Sequence, residues 1–555
     1  MKTFISHRTK RVQLRLRLPF RSGVNLNLAL ICIPLVLSAF THLFNSTGFP
    51  CVSFDEAIYV RRALHVLEGL GPQDPSSRFD HGQETNSSYD HPHFGQIFLA
   101  GIFQIIGYPS SLHTLPTVES IEMLYTVPRV LMGILAVVDT FLLYKIAERR
   151  YNRNVALVSS ILFAVMPLSW LNRWILLDNI LLPFLLLSIL FALHVKRNNN
   201  NYNNNDIHPN LDFSKKNTNN SNDFRKITLT ILSGIFLGLA IYTKITAFTM
   251  IPLVGFLIFT NNKSFKSLAL WLVPVILIPS LWPVYALSVG QFDEWLGGVI
   301  WQGLQRASTG VLSQLTTLLN MDPVLVVLSI IGVIYLTLRR DFLVLLWILP
   351  FVTFAISIHW IYPFHFILLL PAACIASALL IVEVPKRIIK KQNHQKLLTI
   401  TIISAIGIFG LISLTTFYNT NYLITQIMHA SLAIKNIQFA ENNNKDITII
   451  SAPEYSWIFK YIFNEDYTFQ TREASIKTDK ILLMVDRSYF NLVSRDPLKP
   501  EIENKQQIKL LMDIYNNTNP KISIMNDEIP TNLQKYPYTN IKNCSIKNLQ
   551  IRTNY

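Results

Sequence analysis

The sequence predicts an α-helical polytopic membrane protein of about eleven transmembrane helices, closed by a small C-terminal α/β domain outside the membrane. Three observations carry this: apolar runs of membrane-spanning length, positive charge segregated into alternate loops, and a change of character after residue 419. Half of the 555 residues are hydrophobic, 15% are charged and the mean hydropathy is +0.32. A soluble domain carries roughly 25% charge, so the surplus apolar surface is read as facing lipid. The net charge of +15 is assigned to topology, and nucleic acid is not an expected partner.

The chain opens with Lys2, Arg8, Lys10, Arg11, Arg15, Arg17 and Arg21 ahead of the first apolar run. That order resembles a signal peptide. The run is about 19 residues long, however, and Phe40-Thr41-His42-Leu43-Phe44 offers no small-residue cleavage site. Residues 1–23 are therefore read as a basic cytoplasmic tail and the run as an uncleaved anchor. The expected spans are 24–44, 124–147, 155–172, 174–195, 227–243, 245–260, 268–289, 324–338, 342–358, 364–383 and 397–418. Crossing the hydrocarbon takes roughly 20 residues, and the backbone must satisfy its own polar groups there, which makes the spans helical.

Charge tests this scheme, because Lys and Arg resist translocation. With the N-terminus inside, the loops 148–153, 196–226, 261–267, 338–341 and 384–396 are internal and all basic. Through residue 419, about 26 Lys and Arg lie inside against about 7 outside. The stretch 94–107 is only about 14 residues long and suits an interfacial or re-entrant helix, so 45–123 forms one long external loop. The Asn-rich segment 196–226 reads as a disordered internal loop. Residues 420–555 form an extracytoplasmic α/β domain, in which Ile447-Thr448-Ile449-Ile450 and Ile481-Leu482-Leu483-Met484-Val485 read as buried strands. The protein is thus placed in the cell membrane as a multi-pass chain, N-terminus cytoplasmic and C-terminal domain extracytoplasmic.

The external loop begins Ser53-Phe54-Asp55-Glu56, where Ser53 and Glu56 fit a capping box and both acids complement a helix dipole. Further on, Tyr89-Asp90-His91-Pro92-His93 precedes the apolar stretch. These polar residues also suit any loop meeting a bilayer. The external cations are Arg61, Arg62 and Arg78 in the loop and Arg129, Arg173, Lys244 and Arg306 at or beside span ends. Charge at span ends is costly and usually functional. A ring of such cations would hold a lipid-linked phosphate, although each alone could snorkel to headgroups. Carboxylates beside a phosphate site suit displacement of a lipid phosphate from a sugar; an anion transporter would use the same residues.

In order, Phe54-Asp55-Glu56, Asp90-His91-Pro92-His93-Phe94-Gly95-Gln96, Asn172-Arg173-Trp174-Ile175-Leu176-Leu177-Asp178 and Tyr242-Thr243-Lys244-Ile245-Thr246 resemble the motifs of the membrane-embedded C-type glycosyltransferases. The likeness is specifically to protein O-mannosyltransferases and to their relatives, the aminoarabinose transferases of lipid A. It covers roughly residues 25–260, and the chain departs from the H-P-P-L-G-K pattern at His93, Phe94 and Gln96. The resemblance implies a C-type glycosyltransferase fold over 24–419 and a polyprenyl- or dolichyl-phosphate donor of a mannose-like hexose. It also implies a protein Ser/Thr acceptor and inversion in a single displacement. Asp55 would be the general base and Glu56 would orient the acceptor or base. Asp90 and His91 would lie on the acceptor side, and Arg129, Arg173, Lys244 and Arg306 would engage the donor phosphate. The protein-mannosylating branch needs no metal, so no cofactor is assigned, although an Asp/Glu/His cluster is also able to bind a divalent cation.

The rival readings are the same donor with a lipid or glycan acceptor, an anionic-lipid transporter or flippase, and a scaffold acting through 420–555. A transporter would show internal repeats with interrupted helices, and none is visible. Asp178 is expected to pair with Arg173 or another basic group, and Asp139, within a span, needs a partner the sequence does not name. Four cysteines give no disulfide framework; Cys51 and Cys544 fall on one side without any feature that brings them together. Asn45, Asn86, Asn516 and Asn543 head external N-x-S/T triplets.

Overall fold

The computed structural model describes residues 22–50, 54–72, 89–110, 117–195, 213–300, 302–303, 310–358 and 361–419. In the C-terminal part it describes 431, 434, 447–451, 457–459, 461–463, 468–470, 480–486, 512–525 and 548–555. Ser53, Arg78, Asn86, Asn543, Arg306, Cys51 and Cys544 lie outside the described residues, and so do the Ser53 half of the expected capping box and the cysteine pair. Cys32 and Cys374 are free thiols.

The chain is a multi-pass helical membrane protein. Its first helices are α1 (Ser22–Leu43), α2 (Phe54–Leu67), α3 (Phe94–Ile106), α4 (Val118–Arg150), α5 (Arg153–Val165), α6 (Leu177–His194) and α7 (Phe213–Thr243). There follow α8 (Ile251–Asn262), α9 (Phe265–Ser288), α10 (Phe292–Ile300), α11 (Val311–Met321), α12 (Pro323–Leu338), α13 (Phe342–Ile358), α14 (Leu370–Ile388) and α15 (Gln392–Asn419). Short 3-10 turns, Pro167–Arg173, Ile245–Met250 and Pro363–Leu369, join α5 to α6, α7 to α8 and α13 to α14.

All eleven predicted spans fall on helices, but fewer satisfy the length test alone. Among the described residues six helical segments are long and apolar enough to cross a bilayer, or up to eight if each of two bent pairs counts as one span. One pair is α5 with the turn Pro167–Arg173, bent by 65°; the other is α11 with α12, bent by 119°. A run of hydropathy does not distinguish a straight rod from a broken one. α10 and α11 were not foreseen. The Asn-rich segment is corrected in part, since α7 begins at Phe213, inside the stretch read as disordered. Once a span is helical, each further residue adds a hydrogen bond without a new nucleus.

Helix starts are closed by side chains: Thr117 accepts from the Ser120 N–H, Asn152 from Asn154 and Val155, Ser264 from Ser267, and Asp322 from Leu325. Helix α6 lies against α4 and α7, α7 against α9, and α14 against α12 and α5. The α7–α9 contact depends on Gly234 and Gly238, a small-xxx-small pair. A Cβ on either would stand 2.4 Å from the Trp271 carbonyl oxygen or 2.6 Å from that of Pro274. The opposite flank of α9 is apolar and open, with Val273, Ile276, Leu277, Leu281, Val284 and Leu287 all more than half exposed, as a lipid-facing helix requires.

The C-terminal unit is a five-stranded sheet in the order β2-β1-β3-β5-β4, with β1 (Ile447–Ser451), β2 (Thr468–Gln470), β3 (Lys480–Asp486), β4 (Asn519–Met525) and β5 (Asn548–Thr553). β1 runs parallel to β2 and β3, and β5 antiparallel to β3 and β4. The predicted strands are β1 and β3. The unit rests on the helices: the Trp457 indole donates to the Tyr125 hydroxyl at 3.1 Å and the Tyr461 hydroxyl to Glu68 at 2.9 Å.

Candidate active site

Helix α2 carries Asp55 and Glu56 in its first turn, where the dipole favours acids. Their environments differ sharply. Glu56 is fully buried, and Arg129 grips it in a fork, Nε to Oε1 at 2.9 Å and NH2 to Oε2 at 2.8 Å. The Ile175 N–H also donates to Glu56 Oε1, at 3.1 Å. The remaining face of Arg129 donates to the carbonyls of Ser46 at 2.9 Å and Pro50 at 2.8 Å. One ion pair thus ties the start of α2 to α4, to the chain before α6 and to the segment after α1. Asp55, one residue earlier, is only half-buried.

Asp55, Tyr59 and Arg62 follow at helical spacing, so they share a face of α2. Arg62 meets Asp90 at 2.7 Å with both side chains buried, which brings the second predicted acidic segment onto the helix. The His91 ring lies 6.2 Å from that of Tyr59. Burial pushes the Tyr59 hydroxyl well above its ordinary pKa, the carboxylates of Asp55, Asp90 and Asp178 add to the rise, and Arg62 opposes it. Tyr59 is therefore a neutral phenol with three carboxylates close enough to feel. It was not among the sequence candidates; its signal was the four-residue step from Asp55.

Of the four predicted cations, Arg129, Arg173 and Lys244 lie among the described residues, and Arg129 and Arg173 are near enough for their charges to act on each other. Arg129 is committed to Glu56. Arg173 donates to the carbonyls of Thr41, Phe44 and Asn45 at 3.0, 2.6 and 2.7 Å, closing the end of α1 where a cation suits the dipole. Arg306 is outside the described residues. Lys244 remains, held by Asp178 at 2.6 Å with both buried, its ammonium 5.1 Å from the centre of the Phe364 ring. Asp178 therefore pairs with Lys244 and not with Arg173. His365, near Phe364, accepts the Tyr362 N–H on Nδ1 at 3.0 Å. Asp139 is buried in α4, and its Oδ1 has no hydrogen-bond partner among the described residues. No group of three or more His, Cys, Asp and Glu able to hold a metal occurs among the described residues.

A paired cation, Lys244, and a half-open carboxylate, Asp55, stand at the ends of helices in this membrane fold. Residues 81–276 match the family model described as dolichyl-phosphate-mannose-protein mannosyltransferase. The fold is similar to that of ArnT from Cupriavidus metallidurans bound to undecaprenyl phosphate, with a TM-score of 0.54 at 12% identity, covering 96% of this chain and 99% of that one. The archaeal oligosaccharyltransferase AglB from Archaeoglobus fulgidus matches over 88% of this chain and 72% of its own, at 12% identity and a TM-score of 0.49. The Pmt1-Pmt2 protein O-mannosyltransferase complex of S. cerevisiae matches over 48% and 34%, at 17% identity and a TM-score of 0.32. Comparison with curated protein sequences gives no match.

Proposed function

We propose that the protein transfers a mannose-like hexose from a polyprenyl or dolichyl phosphate to a serine or threonine hydroxyl of a protein, with inversion, on the extracytoplasmic face. The observation that carries this reading is the contrast within the acidic pair: Glu56 is sealed by Arg129, whereas Asp55 stands half-open on the same helical turn. An ionised carboxylate on a fixed helix start is a competent base for a hydroxyl. The hydroxyl oxygen bonds to the anomeric carbon, the bond from that carbon to the phosphate oxygen breaks with its electron pair leaving on phosphate, and the hydroxyl proton passes to Asp55.

Lys244 receives the growing charge on the departing phosphate. Its ammonium has three N–H groups, one directed at Asp178. Arg129 and Arg173 act as positioning residues, one setting α2 and the other the turn Pro167–Arg173. Asp90, held by Arg62, and His91 beside Tyr59 line the acceptor approach. The family match over 81–276 and the undecaprenyl phosphate bound by ArnT support the lipid-phosphate donor.

The test is transfer in detergent from radiolabelled polyprenyl-phosphate mannose to a Ser/Thr-rich peptide, comparing wild type with Asp55→Asn. Loss of about 10²–10⁴-fold in rate is expected for removal of a general base. A folded wild-type protein that turns over no donor across a panel of sugars would return the reading to transport.

A further inference from the structure

Where the C-terminal unit rests on the helices, the chain forms an open cavity of about 230 Å³. Its walls come from three places: the end of α2, the end of α3 with the turn after it, and Tyr461 of the C-terminal unit. Both helices stop there at a glycine in the left-handed region, Gly69 at φ 75° and Gly107 at φ 67°, a conformation that a residue without Cβ takes at least cost. Each helix therefore brings its C-terminal end, with its partial negative charge, to the cavity. The Tyr461 hydroxyl donates to Glu68 at 2.9 Å and so holds that carboxylate against the opening.

The lining divides by chemistry. Leu64, Phe103 and Tyr108 are buried and, with Leu67, make an apolar floor. Glu68, Gln104 and Ser110 are exposed and polar. Among the described residues, no Lys, Arg or His belongs to the lining. A carboxylate and two negative helix ends over an apolar floor match a side chain with a hydrocarbon stem and a cationic head, which is the make-up of lysine and arginine. The tyrosine rings add faces that attract a cation. In size the cavity falls below the roughly 300–1,000 Å³ of a small-molecule site, and it suits one long side chain better than a folded segment.

We propose that this cavity is a subsite for a lysine or arginine side chain of the acceptor protein, with Glu68 meeting its charge and the apolar floor its stem. The inference rests on the protein-acceptor reading and deepens it, by adding a specificity element away from the reacting atoms. Helix α2 sets the spacing. Asp55 lies in its first turn and Glu68 directly follows its last residue, about 20 Å apart at about 1.5 Å per residue. An extended peptide covers about 3.3–3.6 Å per residue. The basic residue therefore stands about four to six positions from the modified serine or threonine, the shorter figure allowing for the reach of its own side chain.

The test uses the purified full-length protein in detergent and labelled peptides carrying one serine and one lysine in an otherwise neutral sequence, with binding read by fluorescence anisotropy in the absence of donor. Replacing the peptide's lysine with norleucine keeps most of the stem and removes the charge. It is expected to weaken binding about three- to fivefold, as for a charge pair at an exposed carboxylate, and the contrast should shrink at high salt. In Glu68→Gln, whose amide oxygen still accepts from Tyr461, the two peptides should bind alike. Gln104→Trp fills the cavity and should weaken both. Neither variant should move the melting temperature, since both residues are exposed. With donor present, transfer to peptides in which the lysine is stepped away from the serine should peak at about four to six positions. Equal binding of both peptides to the wild type, a contrast that survives in Glu68→Gln, or a peak with lysine next to serine overturns the subsite. A peptide that binds by its charge but receives no sugar strikes the glycosyltransferase reading and leaves the subsite standing, whereas transfer indifferent to the charge strikes the subsite alone.

Discussion

Replacing Glu56 with Gln should damage the fold more than any change at the neighbouring Asp55. Arg129 makes two hydrogen bonds to the Glu56 carboxylate and two to backbone carbonyls, and both side chains are wholly buried. In Glu56→Gln the oxygen replacing Oε1 can still accept, but the amide NH₂ replacing Oε2 faces the Arg129 NH2 and the cation loses its counter-charge. Breaking one side of a buried pair costs about 3–5 kcal/mol. Arg129→Met strands the carboxylate at a similar cost. The double variant removes both charges and leaves the Ser46 and Pro50 carbonyls and the new amide NH₂ short of partners, while the Ile175 N–H keeps its acceptor, so it should lie well short of the summed losses. The assay is a double-mutant cycle on denaturation in detergent, run alongside transfer. Additivity to within about 0.5 kcal/mol would mean no coupling and would refute the reasoning. So would Glu56→Gln with wild-type stability and no transfer, which would put Glu56 on the substrate.

Asp55→Asn is expected to keep wild-type stability to within about 1 kcal/mol while losing transfer, read by melting and by rate on one preparation. Lys244→Met should raise the donor KM at least tenfold, and adding Asp178→Leu should recover stability without recovering KM, because the pair's fold contribution and the phosphate contact proposed for Lys244 are separable. Gly238→Ile should part α7 from α9, seen as a lowered melting temperature in detergent with α7 newly open to protease. His93, neutral in the fold down to about pH 3, titrates near 6.5 when unfolded. The unfolded chain then binds the extra proton, so stability falls as pH drops from 6.5 towards 3, by about 2 kcal/mol at pH 5. His93→Phe should flatten that slope in denaturation measured from pH 7 to pH 5.

Helix positions were readable because hydropathy and the alternation of Arg and Lys are local or nearly local signals. The acids Asp55, Asp90 and Asp178 were found by type and place in the loop order. Their partners were not legible: Glu56 lies 73 residues from Arg129 and Asp178 lies 66 from Lys244, and the sequence contains nothing that matches one cation to one carboxylate at such range. A ring of four converging cations was a natural expectation from charge and side. The partners of two of them are set by the fold, Arg129 holding Glu56 and two carbonyls and Arg173 three carbonyls, because a buried guanidinium takes the acceptors that the loop ends present. The bends at Met166 and Asp322 were hidden for a related reason, since hydropathy averages over a break as readily as over a rod.

Helix α2 is fastened at two heights, by Glu56 to Arg129 and by Arg62 to Asp90, about 9 Å apart along its axis. The two pairs hold both ends of that stretch in place. A peptide that displaces Asp90 must either release Arg62 or carry the whole helix, and Asp55 with it. On the proposed assignment of Asp90 to the acceptor side and Asp55 as base, acceptor recognition would be geared to the placement of the carboxylate, and poor acceptors would be rejected through its misalignment even when they bind.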